Sequence, residues 1–254
     1  MNYDRARIVC WFSCGAASAV ATKIAIEENR RTHKVPIVVA RCYVEEEHPD
    51  NNRFADDCAA WFGEPVLVLK NEKFEGSIYK VFEKERYIAG INGAACTRAL
   101  KKRVREDFEN REDLQVFGYT AEEDGRADAL IDANATIRLW TPLIERGLSH
   151  ADCMAMIQRA GIALPVMYSM GYHHNNCIGC VKGGAGYWNK IRVDFPEAFN
   201  RQASLGRKLG VRLVKHNGAR VFLDELPASA GYYPSEPEIQ CGIFCEMTEK
   251  EYSA

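Results

Sequence analysis

Short apolar runs alternate with stretches of helical spacing through the first two thirds of the chain, and this alternation limits the fold more than any other feature. Strands are expected at residues 8–13, 37–43, 66–69, 115–119 and 137–141, the second of them a β-branched run. Helices are expected between them at 16–29, 51–62, 77–86, 97–110 and 122–133. A further helix at 149–160 opens on Ser149 and Asp152, placed as an N-cap pair. Short apolar strands separated by helices point to an α/β fold, a parallel twisted sheet with helices on both faces. Such sheets bind ligands at the carboxyl ends of their strands. The informative loops are therefore 13–18, 44–51 and 119–124.

After Pro142 the character changes. From Gly161 onward the chain is rich in Gly, Pro, Asn and Cys, so a loop-rich, Cys-containing C-terminal region is expected, with one short strand at 221–226. This divides the chain into an α/β domain at 1–160 and a Cys-rich region at 161–254, packed together as one unit. A metal or a tightly bound partner would brace the second part.

The net charge of −2 argues against a free-standing, non-specific nucleic-acid binder, although Lys101, Lys102, Arg103 and Arg105 form a local basic run. That run is either an anion-binding strip or a solvated helix face. No apolar run approaches the roughly 20 residues that span a bilayer, and no signal-peptide core follows the N-terminus, so a cytoplasmic protein without a membrane role is expected. Ten cysteines are many for that compartment, where disulfides are rare. Cys10, Cys42, Cys58 and Cys153 lie in strand or helix patterns and read as buried thiols. Cys14, Cys96, Cys177, Cys180, Cys241 and Cys245 lie among turn residues and ask for another explanation.

Ser13-Cys14-Gly15-Ala16-Ala17-Ser18 carries a strand into a helix through small residues. Unpaired backbone N–H groups at the positive end of a helix dipole suit a phosphate, and the two serines add hydroxyls. The same small residues would also let a helix pack closely on its strand. Cys177-Ile178-Gly179-Cys180 has the spacing at which two thiols share one metal or form a redox pair. A second pair, Cys241 and Cys245, comes near the C-terminus and Cys96 stands alone; four such thiolates would hold zinc or an iron–sulfur cluster, and unligated thiols are the alternative. Glu45-Glu46-Glu47-His48 follows the second strand and fits either a ribose or metal contact or a solvated turn. Glu122-Glu123-Asp124 follows the fourth strand and fits either magnesium or a helix start. His173-His174 is either an extension of a metal site or an exposed loop pair.

Together these residues resemble the adenine-nucleotide alpha-hydrolase-like superfamily (PP-loop ATP pyrophosphatases) and, within it, the phosphoadenosine phosphosulfate (PAPS) reductase-like proteins. The superfamily's phosphate loop reads Ser-Gly-Gly-x-Asp-Ser; Ser13, Gly15 and Ser18 match it, and Cys14 and Ala17 depart from it. Ala17 stands where the superfamily has the acidic residue that supports ATP-pyrophosphate cleavage. The resemblance covers roughly residues 6–195 and implies a nucleotide-binding set of Ser13, Cys14, Gly15, Ala16, Ala17 and Ser18 with Tyr43 and Thr120.

Cys96-Thr97-Arg98-Ala99-Leu100-Lys101 looks like the family's mid-chain cysteine and basic segment, and Cys177 and Cys180 look like its later pair. In many members these hold a [4Fe–4S] cluster. The resemblance thus implies Cys177, Cys180 and Lys101 as catalytic residues, with Lys101 on a ligand phosphate or sulfate. The fourth cluster ligand is Cys241 or Cys245, or one iron stays open to bind sulfur. Zinc is the alternative metal, and magnesium fits the acid cluster.

The implied activity is adenine-nucleotide-dependent sulfur transfer using ATP or PAPS. The models are DNA phosphorothioation and RNA thiolation, with a nucleic acid as acceptor and a cysteine desulfurase or other sulfur donor as partner. A sulfonucleotide reductase is the alternative enzyme, although the C-terminal Glu-Cys-Gly-x-His motif of those reductases does not occur in the sequence. A non-catalytic nucleotide- or zinc-binding protein is the alternative from another class.

Overall fold

The computed structural model describes residues 7–32, 34–90, 93–134, 136–175, 177–237 and 239. Its main sheet consists of β1 (Ile8–Trp11), β2 (Ile37–Cys42), β3 (Val66–Leu69), β4 (Leu114–Val116) and β5 (Arg138–Trp140). The principal helices are α1 (Ala16–Arg31), α2 (Asp50–Phe62), α3 (Ile78–Glu85), α4 (Arg103–Phe108), α5 (Asp124–Ala133), α6 (His150–Arg159), α7 (Ala185–Asp194) and α8 (Pro196–Leu209). The chain divides into two compact units that interleave along the sequence. The first takes the chain up to Tyr43, Pro49–Lys70 and Val104–Asn175; the second takes Val44–His48, Asn71–Arg103 and the described residues beyond Asn175. No helix among the described residues is long and apolar enough to cross a membrane.

In the first unit the five strands run parallel in the order β3-β2-β1-β4-β5. The α/β sheet flanked by helices expected from the sequence is therefore present. All four residues of β1 are buried, so both of its faces are covered. Ile8 and Cys10 face one side with Phe12, in a core shared with Ala19 and Val20 of α1, Phe54 and Phe62 of α2, and Cys153 and Ile157 of α6. Trp11 faces the other side, where it meets Phe108 of α4 edge-on with ring centres 6.1 Å apart. Beside it the buried Arg7 guanidinium grips Asp113 at 3.0 and 3.1 Å and lies over the Phe108 ring. The expected N-cap of α6 forms: the Asp152 N–H donates to Ser149 Oγ at 3.1 Å, and the Ser149 N–H donates to Asp152 Oδ2 at 2.9 Å.

Outside the sheet, three expectations are corrected. Residues 161–184 and 210–237 are mostly turns, but α7 and α8 run through 185–209. The first turn of α7 buries Ala185, Gly186, Tyr187 and Trp188 in succession, which leaves no polar face to reveal a helical period. Helix α8 starts on Pro196 and stops at Gly210, whose φ of +70° fits a helix-ending glycine. The strand expected at 221–226 is instead a hairpin, Val214–His216 paired with Ala219–Val221, followed by a 3₁₀ turn at Leu223–Glu225. Asn217 and Gly218 join its strands with φ of +48° and +80°, the Asn-Gly signature of a tight hairpin turn. The helix expected at 97–110 is also irregular, with a π-helical stretch at Arg98–Lys102 between a turn at Ala95–Thr97 and α4.

Candidate functional site

Strand β1 is central, and the connections after it and after β4 leave in opposite senses along the sheet, which makes their carboxyl ends the switch point at which such sheets bind ligands. There the chain turns from β1 into the 16-residue α1, with Gly15 at the N-cap. The first N–H groups of a helix lack partners within it, and the dipole adds about half a positive charge.

Hydroxyls converge on this end. The Ser18 hydroxyl donates to the Gly15 carbonyl at 3.0 Å and accepts from the Ser13 N–H and the Ser13 hydroxyl, each at 3.1 Å. The Ala16 N–H donates to the Tyr168 hydroxyl at 3.4 Å. A methyl group placed on Gly15 would stand 3.7 Å from Ser13 Oγ, 3.7 Å from Tyr168 Oη and 4.0 Å from Ser18 Oγ. Gly15 thus marks the point around which three hydroxyls gather. Its φ of −100° is open to any residue, so the glycine leaves room there rather than permitting an unusual bend.

The sequence did not reveal three of the groups that shape this loop. Gly118, just beyond β4, presses on the first turn of α1; a methyl group there would lie 2.6 Å from the backbone N and Cα of Ser18. Tyr168 belongs to the short helix Val166–Ser169. That segment is held by α2: the Val166 N–H donates to Asp50 Oδ2 at 2.9 Å, and Arg53 donates to the carbonyls of Ala163 and Leu164 at 3.0 and 3.2 Å. Asp50 in turn grips Arg53 at 2.7 and 2.9 Å and pushes the guanidinium pKa up. Asn175 reaches the loop through the Cys14 carbonyl at 2.7 Å. His150 lies beside Tyr168 and His174, ring centres 5.8 and 5.7 Å away. The Thr120 hydroxyl and the His150 N–H hold the Glu122 carboxyl below its usual range.

The expected nucleotide-binding residues outside the loop have local partners. Thr120 is buried and forms a capping box with Glu123, its N–H donating to Glu123 Oε2 at 3.1 Å. Glu123 also pairs with Arg126, so the acid cluster starts a helix here. Tyr43 continues β2, its N–H donating to the Leu69 carbonyl at 2.8 Å and its ring lying 5.4 Å below the Lys70 ammonium.

In the second unit Cys177 and Cys180 are buried in one turn, with Gly179 at φ +75° between them. The Tyr187 hydroxyl accepts from the Cys180 N–H at 2.8 Å and donates to the Cys177 carbonyl at 3.2 Å, closing the turn. Gly183 makes room for that ring: a methyl group there would fall 1.9 Å from Tyr187 Cδ1. Glu236 caps α7 by accepting from the N–H groups of Gly186 and Tyr187 at 2.6 and 3.0 Å. The Ile178 N–H donates to the Glu46 carbonyl at 2.9 Å, and the Glu46 carboxylate accepts from Ser77 Oγ and the Ile78 N–H at 2.5 and 2.9 Å. Burial, outweighing these hydrogen bonds, raises the Glu46 pKa. Burial also pushes the Tyr79 phenol up to about 12, against the opposing charge of Arg201 stacked 3.7 Å from its ring centre.

Cys96 belongs to the same unit, half-buried in the turn Ala95–Thr97, and Lys101 and Lys102 are half-buried on the π-helical stretch. Arg105 of the same basic run is buried and paired with Glu109 at 2.5 Å, so it is no solvated charge. Among the described residues no three His, Cys, Asp or Glu side chains are grouped to hold one metal ion. Cys241 and Cys245 lie outside the described residues. Cys10, Cys58 and Cys153 are core thiols, Cys58 and Cys153 pushed up to about 12 by burial, whereas Cys42 is half-buried. Compared with known proteins, the chain matches no protein-family model and has no significant match among curated sequences.

Proposed function

We propose that the chain is an adenine-nucleotide-dependent sulfur-transfer enzyme of the kind represented by the PAPS reductase-like proteins. One observation carries the reading: the hydroxyls of Ser13, Ser18 and Tyr168 converge beside Gly15, at the N-terminus of α1 and the switch point of the sheet. The phosphates of ATP, or the phosphosulfate of PAPS, would lie there with α1's first N–H groups facing them. The paired thiols of Cys177 and Cys180 support the sulfur part, and Lys101 is assigned to a ligand anion. The acceptor in this reading is a nucleic acid, as in DNA phosphorothioation and RNA thiolation, and the sulfur donor is a partner such as a cysteine desulfurase.

Cys177 and Cys180 would supply two thiolates to an iron–sulfur cluster or a zinc ion, with Cys96 and Cys241 or Cys245 completing the set. A cluster would brace the turn and supply a sulfur-binding or redox centre. Ala17, half-buried in the phosphate loop without a carboxylate, favours a second reading as a nucleotide binder that does not cleave ATP.

Anaerobically purified protein with ATP, a nucleic acid and a desulfurase tests these readings. The enzyme reading predicts iron with acid-labile sulfide, and release of AMP and pyrophosphate. Tight ATP binding without turnover supports the second reading, and absence of nucleotide binding contradicts both.

A further inference from the structure

We infer that Asn175 is a positioning residue for the 13–18 loop: it clamps the Cys14 carbonyl and so holds the bend that presents the loop to an anion. The inference rests on the reading of that loop as a phosphate site. Cys14 has a φ of +58°, a left-handed conformation that glycine adopts freely and other residues adopt at a cost. The other described non-glycine residues with positive φ, Lys34, Glu75, Arg86 and Asn217, are exposed turn positions, whereas Cys14 is fully buried.

Hydrogen bonds at both its carbonyl and its thiol hold Cys14 in place. Asn175 Nδ2 donates to the Cys14 carbonyl at 2.7 Å and to Asn51 Oδ1 at 2.6 Å. The Cys14 thiol donates to the Asn51 main-chain carbonyl at 3.7 Å. Asn51 is 1% exposed and Asn175 7%, so water does not compete. The orientation of the Asn175 amide follows from its neighbours, because both are acceptors and only the NH₂ group can face them. Asn175 Oδ1 is consequently buried without a partner among the described residues, a costly arrangement that the clamp imposes.

The clamp acts through peptide planarity. In a trans peptide the C=O and the following N–H point in opposite directions, so holding the Cys14 carbonyl toward Asn175 turns the Gly15 N–H away from it. Asn175 therefore orients the loop without touching the ligand.

The test uses Asn175→Leu, which keeps the size and removes the donor, and the same change combined with Cys14→Gly. Calorimetry with ATP and inorganic pyrophosphate should show affinity falling about tenfold in N175L, the scale of the left-handed penalty. Adding C14G should restore it, because glycine adopts the left-handed bend without the steric cost, while the thermal midpoint stays lowered in both variants. Unchanged affinity in N175L, or no recovery in a folded double variant, would overturn the clamp. Should N175L fail to fold, Asn175→Ala in the C14G background replaces it, and loss of affinity there relative to C14G alone counts against the inference. Hydrogen exchange of the 14–16 amides separates the two readings. If the native protein binds neither anion, the phosphate reading fails; faster exchange in N175L that C14G reverses still supports the clamp, and unchanged exchange overturns it.

Discussion

The β1–α1 loop and the Cys177–Cys180 turn are both short and glycine-containing, yet they are held in opposite ways. The loop takes its shape from groups far along the chain: Gly118, Tyr168, Asn51 and Asn175. The cysteine turn is closed by a nearby ring, Tyr187, seven and ten residues away, with Gly183 making room for it, and has one distant hydrogen bond, from the Ile178 N–H to the Glu46 carbonyl. A site built from distant elements is sensitive to their placement. A site closed mainly by its own neighbours should depend less on the placement of distant elements.

Substitutions can break this contrast in a graded order. Gly118→Ala should have the largest effect, about 3 kcal/mol of lost stability together with loss of anion binding, because its methyl group meets α1 backbone rather than a movable side chain. Denaturant unfolding and calorimetry would measure both losses, and a stable variant with native affinity would count against the close approach. Tyr187→Phe leaves the Cys180 N–H and the Cys177 carbonyl without their shared partner and should cost about 2 kcal/mol. It should also speed alkylation of Cys177 and Cys180 without altering ATP affinity. Tyr168→Phe should do the reverse, lowering ATP affinity about tenfold while changing stability by only about 0.5 kcal/mol.

The smallest expected effect is a pH dependence in the second unit. Burial raises the Glu46 carboxyl above its ordinary range in the folded state, so the folded chain retains this proton to a higher pH than the unfolded chain does. Its contribution to stability therefore falls as pH rises from the ordinary value to the raised one. Glu46→Gln should flatten that segment of the stability profile; an unchanged profile would contradict the assignment.

The sheet was legible because its strands are short apolar runs flanked by helical patterns, and the 13–18 loop because small residues join the central strand to a helix. The rest of the site was not, for a physical reason. Tyr168 is set by Asp50 and Arg53, more than a hundred residues earlier, and no local pattern encodes that contact. Helix α7 was hidden because consecutive residues of its first turn are all buried, and α8 because Gln202 stands among its buried positions. The Asn217-Gly218 hairpin, by contrast, carried a readable signal that the expectation of one strand at 221–226 passed over.

The most direct test of the central claim is ATP binding to Gly15→Val. At a φ of −100° and ψ of 158° a β-branched residue fits the backbone, so the fold and thermal midpoint should be preserved while the side chain fills the space among Ser13, Ser18 and Tyr168. The account predicts measurable ATP affinity in the native protein and its loss in this variant. Undiminished ATP affinity in a folded Gly15→Val protein would contradict it.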